Sequence, residues 1–113
     1  MGDQGSSDGR KHVLCESPLA IGVQQANAMF SAARANSVWL LEAYPYQFQP
    51  ATEALCAALE HGDIGEVRSV QACFGFTLCN PVGNIRLDSN LGGGSLLDAG
   101  SYVTSLIRLV MVT

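Results

Sequence analysis

The segment that most constrains the fold is a nearly continuous apolar run at residues 38–44, which has the sequence VWLLEAY. A strand with apolar side chains on both faces is typical of a parallel sheet that is covered on both sides. A second, shorter strand is predicted at 12–16 and must end before Pro18, which lacks the N–H that a continuing ladder needs. The alanine-rich residues 19–35 between them predict a helix. The order strand, helix, strand indicates an α/β fold.

The next part of the chain predicts another helix and another strand. Pro50 suits the first turn of a helix at about 50–61, and Gly62 stands where a left-handed C-terminal cap would fall. Within residues 67–76, every second position from Arg68 to Phe76 belongs to the face with the larger apolar surface, which favours a half-buried strand.

A glycine-rich loop at 77–94 is long enough to be a candidate for ligand contact. The helix expected at 96–110, capped by Ser95, would carry Asp98 and Tyr102 four residues apart on one face. Such a pair could hold a substrate hydroxyl and pass its proton while a cofactor takes the hydride. Alternatively, Asp98 only favours the positive first turn and Tyr102 only packs. Spacing alone leaves both interpretations open.

Composition excludes several classes of function. Residues 1–10 have no large apolar side chain after Met1 and are expected to be a disordered tail. With 48% apolar and 14% charged residues, the chain should expose an apolar face that packs against more protein. The net charge of −4 and the scattered basic residues argue against nucleic-acid binding. Neither a membrane span nor a signal pattern is present, so a cytoplasmic protein is expected. The four cysteines lack metal-ligand spacing and are expected to be small buried thiols, with no metal site.

Two segments resemble the active-site segments of a known enzyme family. Residues 11–20 (KHVLCESPLA) and 92–102 (GGGSLLDAGSY) are similar to those of the glucose-fructose oxidoreductase/inositol dehydrogenase/MocA (Gfo/Idh/MocA) family of NAD(P)-dependent sugar and polyol dehydrogenases. Further segments resemble the same family at 42–50 (EAYPYQFQP), 62–68 (GDIGEVR) and 84–94 (NIRLDSNLGGG). They follow the family's order and cover nearly everything but the tail.

The resemblance implies a fold and a set of site residues. Residues 11–49 would be the C-terminal end of a Rossmann-type, dinucleotide-binding unit, and residues 50–113 the start of a mixed-sheet α+β domain for substrate and oligomerisation. Glu16 and Pro18 would line the nicotinamide and ribose of NAD or NADP. Asp98 and Tyr102 would meet a sugar or polyol substrate, with tyrosine as in the glucose-fructose oxidoreductase and dihydrodiol dehydrogenase branches. A homo-oligomer through the exposed sheet is also implied.

Two departures from the family pattern bear on activity. Ser17 stands where the family's Glu-Lys-Pro segment has its catalytic lysine, and a short neutral hydroxyl cannot steady developing alkoxide charge at the same reach. The family's Gly-x-Gly-x-x-Gly turn is absent, and Gly92, Gly93 and Gly94 do not replace it because no strand leads into them. We therefore expect a truncated or impaired dehydrogenase, or alternatively a non-catalytic binding or structural remnant of the family.

Overall fold

The computed structural model describes residues 10–113, which form two compact units that divide after Ala43. The first unit contains β1 (Val13–Glu16), α1 (Val23–Ala35) and β2 (Leu40–Ala43). The two strands pair in parallel, with Val13 opposite Leu40, and α1 connects them. The α/β class and the parallel pairing predicted from the sequence are confirmed.

The sheet is less covered than the apolar run at 38–44 predicted. Val13, Cys15 and Leu40 are half-buried, whereas the neighbouring positions Leu14 and Leu41 are 70% and 48% exposed. Side chains alternate between the two faces of a strand, so the exposed leucines share one face. Among the described residues, the expectation of cover on both faces is therefore wrong.

α1 begins four residues later than the predicted start at Leu19. Residues 17–22 form the turn that follows β1, and Gly22 at the N-cap has no side chain to accept a hydrogen bond. Met29 and Ala33 from the helix are buried, as is Leu19 from the turn. Ile21 precedes the helix and is 54% exposed, so the apolar stripe of α1 is shorter than the sequence suggested.

The regular elements of the second unit are all helical. Its elements are a 3-10 turn (Pro45–Phe48), α2 (Pro50–Glu60), two 3-10 turns (Ile85–Leu87 and Ser89–Leu91) and α3 (Ala99–Val112). Gly62 has a φ of 74° and donates its N–H to Leu59 O at 3.0 Å, while Asp63 N–H reaches Ala58 O at 3.0 Å. These two bonds define a Schellman cap. The predicted bounds of α2 and its glycine cap are confirmed.

The strand predicted at 67–76 is wrong. A strand requires a hydrogen-bonded neighbour, and within residues 10–113 no ladder includes this segment. Phe74 and Phe76 still lie on one side, with ring centroids 6.4 Å apart, so the alternation survives without the sheet. Cys73 and Cys79 are exposed because nothing in the described chain covers this stretch, which corrects the expectation of buried thiols for both.

α3 begins at Ala99, and Ser95 does not cap it. Residues 95–98 form a turn in which Gly100 N–H donates to Ser95 O at 2.7 Å. Asp98 takes the N-cap position instead, without a capping bond from its side chain. Between residues 10 and 113, no helix combines the length and the apolar character that crossing a membrane demands.

Candidate functional site

The predicted cofactor-side residues lie together at the end of β1. Glu16 closes the strand and is exposed, while Ser17 and Pro18, joined by a cis peptide bond, are half-buried in the turn. In open α/β sheets, ligands bind beyond the carboxyl ends of the strands. The turn is fixed to β2, since Leu19 N–H donates to Glu42 Oε1 at 2.8 Å. All three candidates therefore lie at the carboxyl end of the parallel strands, which is the end where α/β proteins bind ligands.

Glu42 also lies near the carboxyl end of the strands, and the sequence did not predict it as a site residue. It is a carboxylate inside an otherwise apolar strand, and its Oε1 accepts a backbone N–H from the turn beside β1. The signal in the sequence was that single charge within VWLLEAY. Its role here is to position the Ser17–Pro18 turn relative to the sheet.

In the second unit, Tyr102 lies within an aromatic cluster, which we define as Tyr44, Tyr46, Phe74, Phe76 and Tyr102. The Tyr102 ring is edge-on to Tyr44, with centroids 5.0 Å apart and planes at 87°. Its centroid lies 5.6 Å from that of Phe74 and 6.3 Å from that of Tyr46. These separations are those of favourable aromatic pairs. Only Tyr102 was predicted from the sequence; the other four members were missed.

The two hydroxyls of Tyr46 and Tyr102 differ in their partners. Tyr46 Oη lies 2.8 Å from Ser105 Oγ, and Gln47 Nε2 donates to the same Oγ at 3.1 Å. These contacts join the 3-10 turn to α3, one helical turn beyond Tyr102. Within residues 44–113, the Tyr102 hydroxyl makes no hydrogen bond and is not sealed from solvent. It is therefore the phenol of the pair that is available to a ligand.

Asp98 forms an ion pair with Arg86, which the sequence analysis did not single out. Arg86 Nε donates to Asp98 Oδ2 at 2.9 Å, with side chains that are 45% and 31% exposed. The Arg86 guanidinium carbon also lies 5.8 Å from the centroid of the Phe76 ring, within cation–π range. Asp98 and Tyr102 are thus connected through Arg86, Phe76 and Phe74. The predicted carboxylate and phenol are therefore linked indirectly, by a series of contacts through three intervening side chains.

The glycine-rich segment before α3 is a folded loop. The N–H groups of Gly92, Gly93 and Gly94 donate to Ser89 O at 3.2 Å, Asp88 O at 2.8 Å and Arg86 O at 2.8 Å. A phosphate cradle requires such N–H groups to be free. These three are committed to the loop itself, in agreement with the expectation that this triplet is not a dinucleotide turn.

The sequence of this part of the chain matches a known domain. Residues 52–112 fit the family model described as the GFO/IDH/MocA C-terminal domain. The chain belongs to the Gfo/Idh/MocA family. The resemblance inferred from the sequence motifs is confirmed.

Curated Gfo/Idh/MocA relatives are similar over most of this chain. D-xylose 1-dehydrogenase (NADP(+)) 2 of Haloferax volcanii is 39% identical over 108 residues, covering 96% of this chain and 33% of the relative. Trans-1,2-dihydrobenzene-1,2-diol dehydrogenase of Danio rerio is 38% identical, covering 89% of this chain and 30% of the relative. dTDP-3,4-didehydro-2,6-dideoxy-alpha-D-glucose 3-reductase of Actinomadura kijaniata is 39% identical, covering 81% and 27%. The chain spans about a third of the length of these relatives.

Proposed function

We propose that this chain forms part of an NAD(P)-dependent oxidoreductase that acts on a hydroxyl group of a sugar or polyol. Residues 11–49 would contribute the end of a Rossmann-type unit and residues 50–113 the start of the substrate domain. The observation that carries the proposal is the free Tyr102 hydroxyl in the same side-chain set as the Asp98 carboxylate, within a segment that fits the family's C-terminal domain. Names of the relatives, two dehydrogenases and a reductase, support this class of reaction.

Asp98 and Tyr102 have complementary roles in this proposal. A phenol can donate a hydrogen bond to a substrate hydroxyl or accept its proton, and a carboxylate nearby can orient the same hydroxyl. A bound nicotinamide supplies the acceptor or donor of hydride. Tyr102 is held by the rings of Tyr44 and Phe74, so its hydroxyl has a fixed position and does not need to be ordered when substrate binds.

Glu16 and the turn that follows it fit the nicotinamide end of NAD or NADP. An exposed carboxylate at the carboxyl end of a parallel strand can accept a hydrogen bond from a ribose hydroxyl. Pro18 adds an apolar surface beside it. The N–H groups of the glycine triplet at 92–94 are bonded within their own loop, so the triplet adds no pyrophosphate contact to this proposal.

Ser17 bears on the rate of the proposed reaction, because it stands where the family has its catalytic lysine. A lysine ammonium in this turn would stabilise negative charge that develops on the reacting oxygen, and removing one such group from an active site costs about 10²–10³ in kcat. The serine hydroxyl has no charge. This substitution also supports the second candidate function, a binding or structural member of the family that holds a sugar without turning it over.

Titration of the purified chain with NADH and with NADPH, followed by nicotinamide fluorescence, tests the cofactor half of the proposal. Turnover is then measured with NAD+ or NADP+ and either D-xylose or a polyol, for the chain, for Ser17→Lys, and for Ser31→Lys as a matched control on the exposed side of α1. We expect Ser17→Lys to raise turnover at least about tenfold and Ser31→Lys to leave it unchanged. Cofactor binding without turnover in Ser17→Lys would favour the non-catalytic candidate, and the absence of cofactor binding in all three would contradict the oxidoreductase proposal.

A further inference from the structure

Asp98 occupies the N-cap of α3 without capping it. A capping aspartate has an extended backbone, and its side chain accepts a hydrogen bond from the second or third N–H of the helix. Asp98 instead has φ −76° and ψ −84°, and its side chain makes no capping bond. The Oδ2 atom accepts from Arg86 Nε at 2.9 Å. The start of α3 therefore lacks a stabilising cap while its carboxylate is directed to an arginine.

Arg86 is itself fixed by its loop. Its backbone N–H donates to Asn84 Oδ1 at 3.0 Å, and its carbonyl accepts the Gly94 N–H at 2.8 Å. Its guanidinium lies near the face of Phe76. The two backbone bonds fix the main chain of Arg86, and the ring of Phe76 and the carboxylate of Asp98 both contact its guanidinium group.

We infer that Arg86 is a positioning residue, which holds Asp98 Oδ2 so that the carboxylate stays available to substrate and does not turn back to cap α3. The inference rests on the proposed function. Only Nε of Arg86 is used in the pair, and Asp98 Oδ1 makes no hydrogen bond within residues 44–113. One oxygen is thereby fixed, and the other is left for a ligand hydroxyl.

Side-chain NMR tests the geometry without requiring turnover. The Nε–H of Arg86 should exchange with water about tenfold more slowly than that of Arg68, since charge-assisted bonds in an ordered pair are the stronger ones. Arg68 is the control, because its contact with Glu66 is made by Nη2, at 3.0 Å, so that its Nε–H lies outside the pair, and both side chains are strongly exposed, at 81% and 73%. In Arg86→Met, the released Asp98 carboxylate should accept the Ser101 N–H, so that exchange of this amide slows. Equal exchange rates for the two arginines would overturn the inference.

Kinetics in the Ser17→Lys background then separate positioning from folding. Arg86→Met should lower kcat about a hundredfold and leave KM within about threefold, because a misplaced group chiefly costs transition-state stabilisation. Arg86→Lys should not restore kcat, since an ammonium lacks the planar geometry of the guanidinium. Arg68→Met should match its parent.

Failure of the positioning role can be distinguished from failure of the proposed function. Retained kcat in Arg86→Met, where Asp98→Ala abolishes it, would overturn the positioning role and leave the oxidoreductase proposal intact. A protected Arg86 Nε–H with a responsive Ser101 amide, in a chain that never turns over a nicotinamide, would contradict the proposed function and leave the positioning of Asp98 established.

Discussion

At the scale of single residues, two tyrosines of one aromatic cluster have hydroxyls with different surroundings. Tyr46 is bonded to Ser105, whereas Tyr102 has no partner within residues 44–113. Removal of either hydroxyl leaves its ring, and hence the packing of the cluster, in place. The same conservative substitution can therefore separate a structural phenol from a functional one.

We predict opposite consequences for Tyr102→Phe and Tyr46→Phe. In the Ser17→Lys background, Tyr102→Phe should lower turnover about a hundredfold, as expected for loss of a proton-transferring group, and change the free energy of unfolding by less than about 0.5 kcal/mol. Tyr46→Phe should lower the free energy of unfolding by about 1 kcal/mol, the typical net value of one hydrogen bond, and spare turnover. Urea titration and steady-state kinetics measure both. A reversed pattern would mean that the functional phenol has been misassigned.

The sequence predicted Asp98 and Tyr102 as a pair four residues apart on one helical face. That geometry is wrong, because α3 begins at Ala99 and Asp98 has a non-helical backbone. Arg86 could not be predicted from spacing, since its contact with Asp98 depends on the path of a loop that is folded by Asn84 and by the glycines. Glu42 was missed for a similar reason. Its bond to Leu19 joins residues that are 23 positions apart.

At the scale of elements, capping residues in the sequence predicted the ends of a helix correctly where no long-range hydrogen bond involved those ends. α2 has its proline and glycine at the predicted ends, and both act within the helix's own backbone. α1 and α3 start later than predicted, and in each case a polar group near the start is bonded elsewhere: Leu19 N–H to Glu42, and the Asp98 carboxylate to Arg86. The 67–76 segment has the alternation of a strand, but pairing depends on a partner that alternation cannot specify.

The glycine loop offers a prediction at this scale. A Cβ on Gly93 would lie 2.7 Å from Ile85 O and Asp88 O and 2.8 Å from Arg86 O, all of them backbone atoms that cannot simply rotate away. Gly93→Ala should therefore lower the free energy of unfolding by about 1–3 kcal/mol and loosen the Arg86–Asp98 pair. Gly75→Ala is the control, because nothing lies within 4 Å of its Cβ position. Urea midpoints and the Arg86 Nε–H exchange rate measure both effects; equal midpoints would contradict the described loop packing.

At the scale of the whole molecule, many of the chain's large apolar side chains are exposed to solvent. On β1 and β2, the paired residues Leu14 and Leu41 are exposed, and Trp39, just before β2, is 78% exposed. A contiguous exposed apolar surface marks a site of association. We propose that this sheet face takes part in self-association of the chain.

Self-association can be tested with a charge pair introduced on the sheet face. The chain should scatter light as more than a monomer and bind a hydrophobic dye, and the double variant Leu14→Glu, Leu41→Lys should reduce both signals, because neighbouring opposite charges are tolerated on a solvated face. Val82→Lys is the control, since Val82 is 96% exposed and lies outside this sheet. A monodisperse monomer that binds no dye would contradict the proposal.

The central claim is that α3 and its preceding loop form the substrate side of a sugar or polyol oxidoreductase. The most direct test is a backbone amide NMR titration of the chain with D-xylose and with a cyclic polyol. We predict saturable shifts confined to Arg86 and to residues 98–102, with α2 unaffected as an internal reference. Saturating ligand that leaves these signals unmoved, or that shifts only α2, would contradict it.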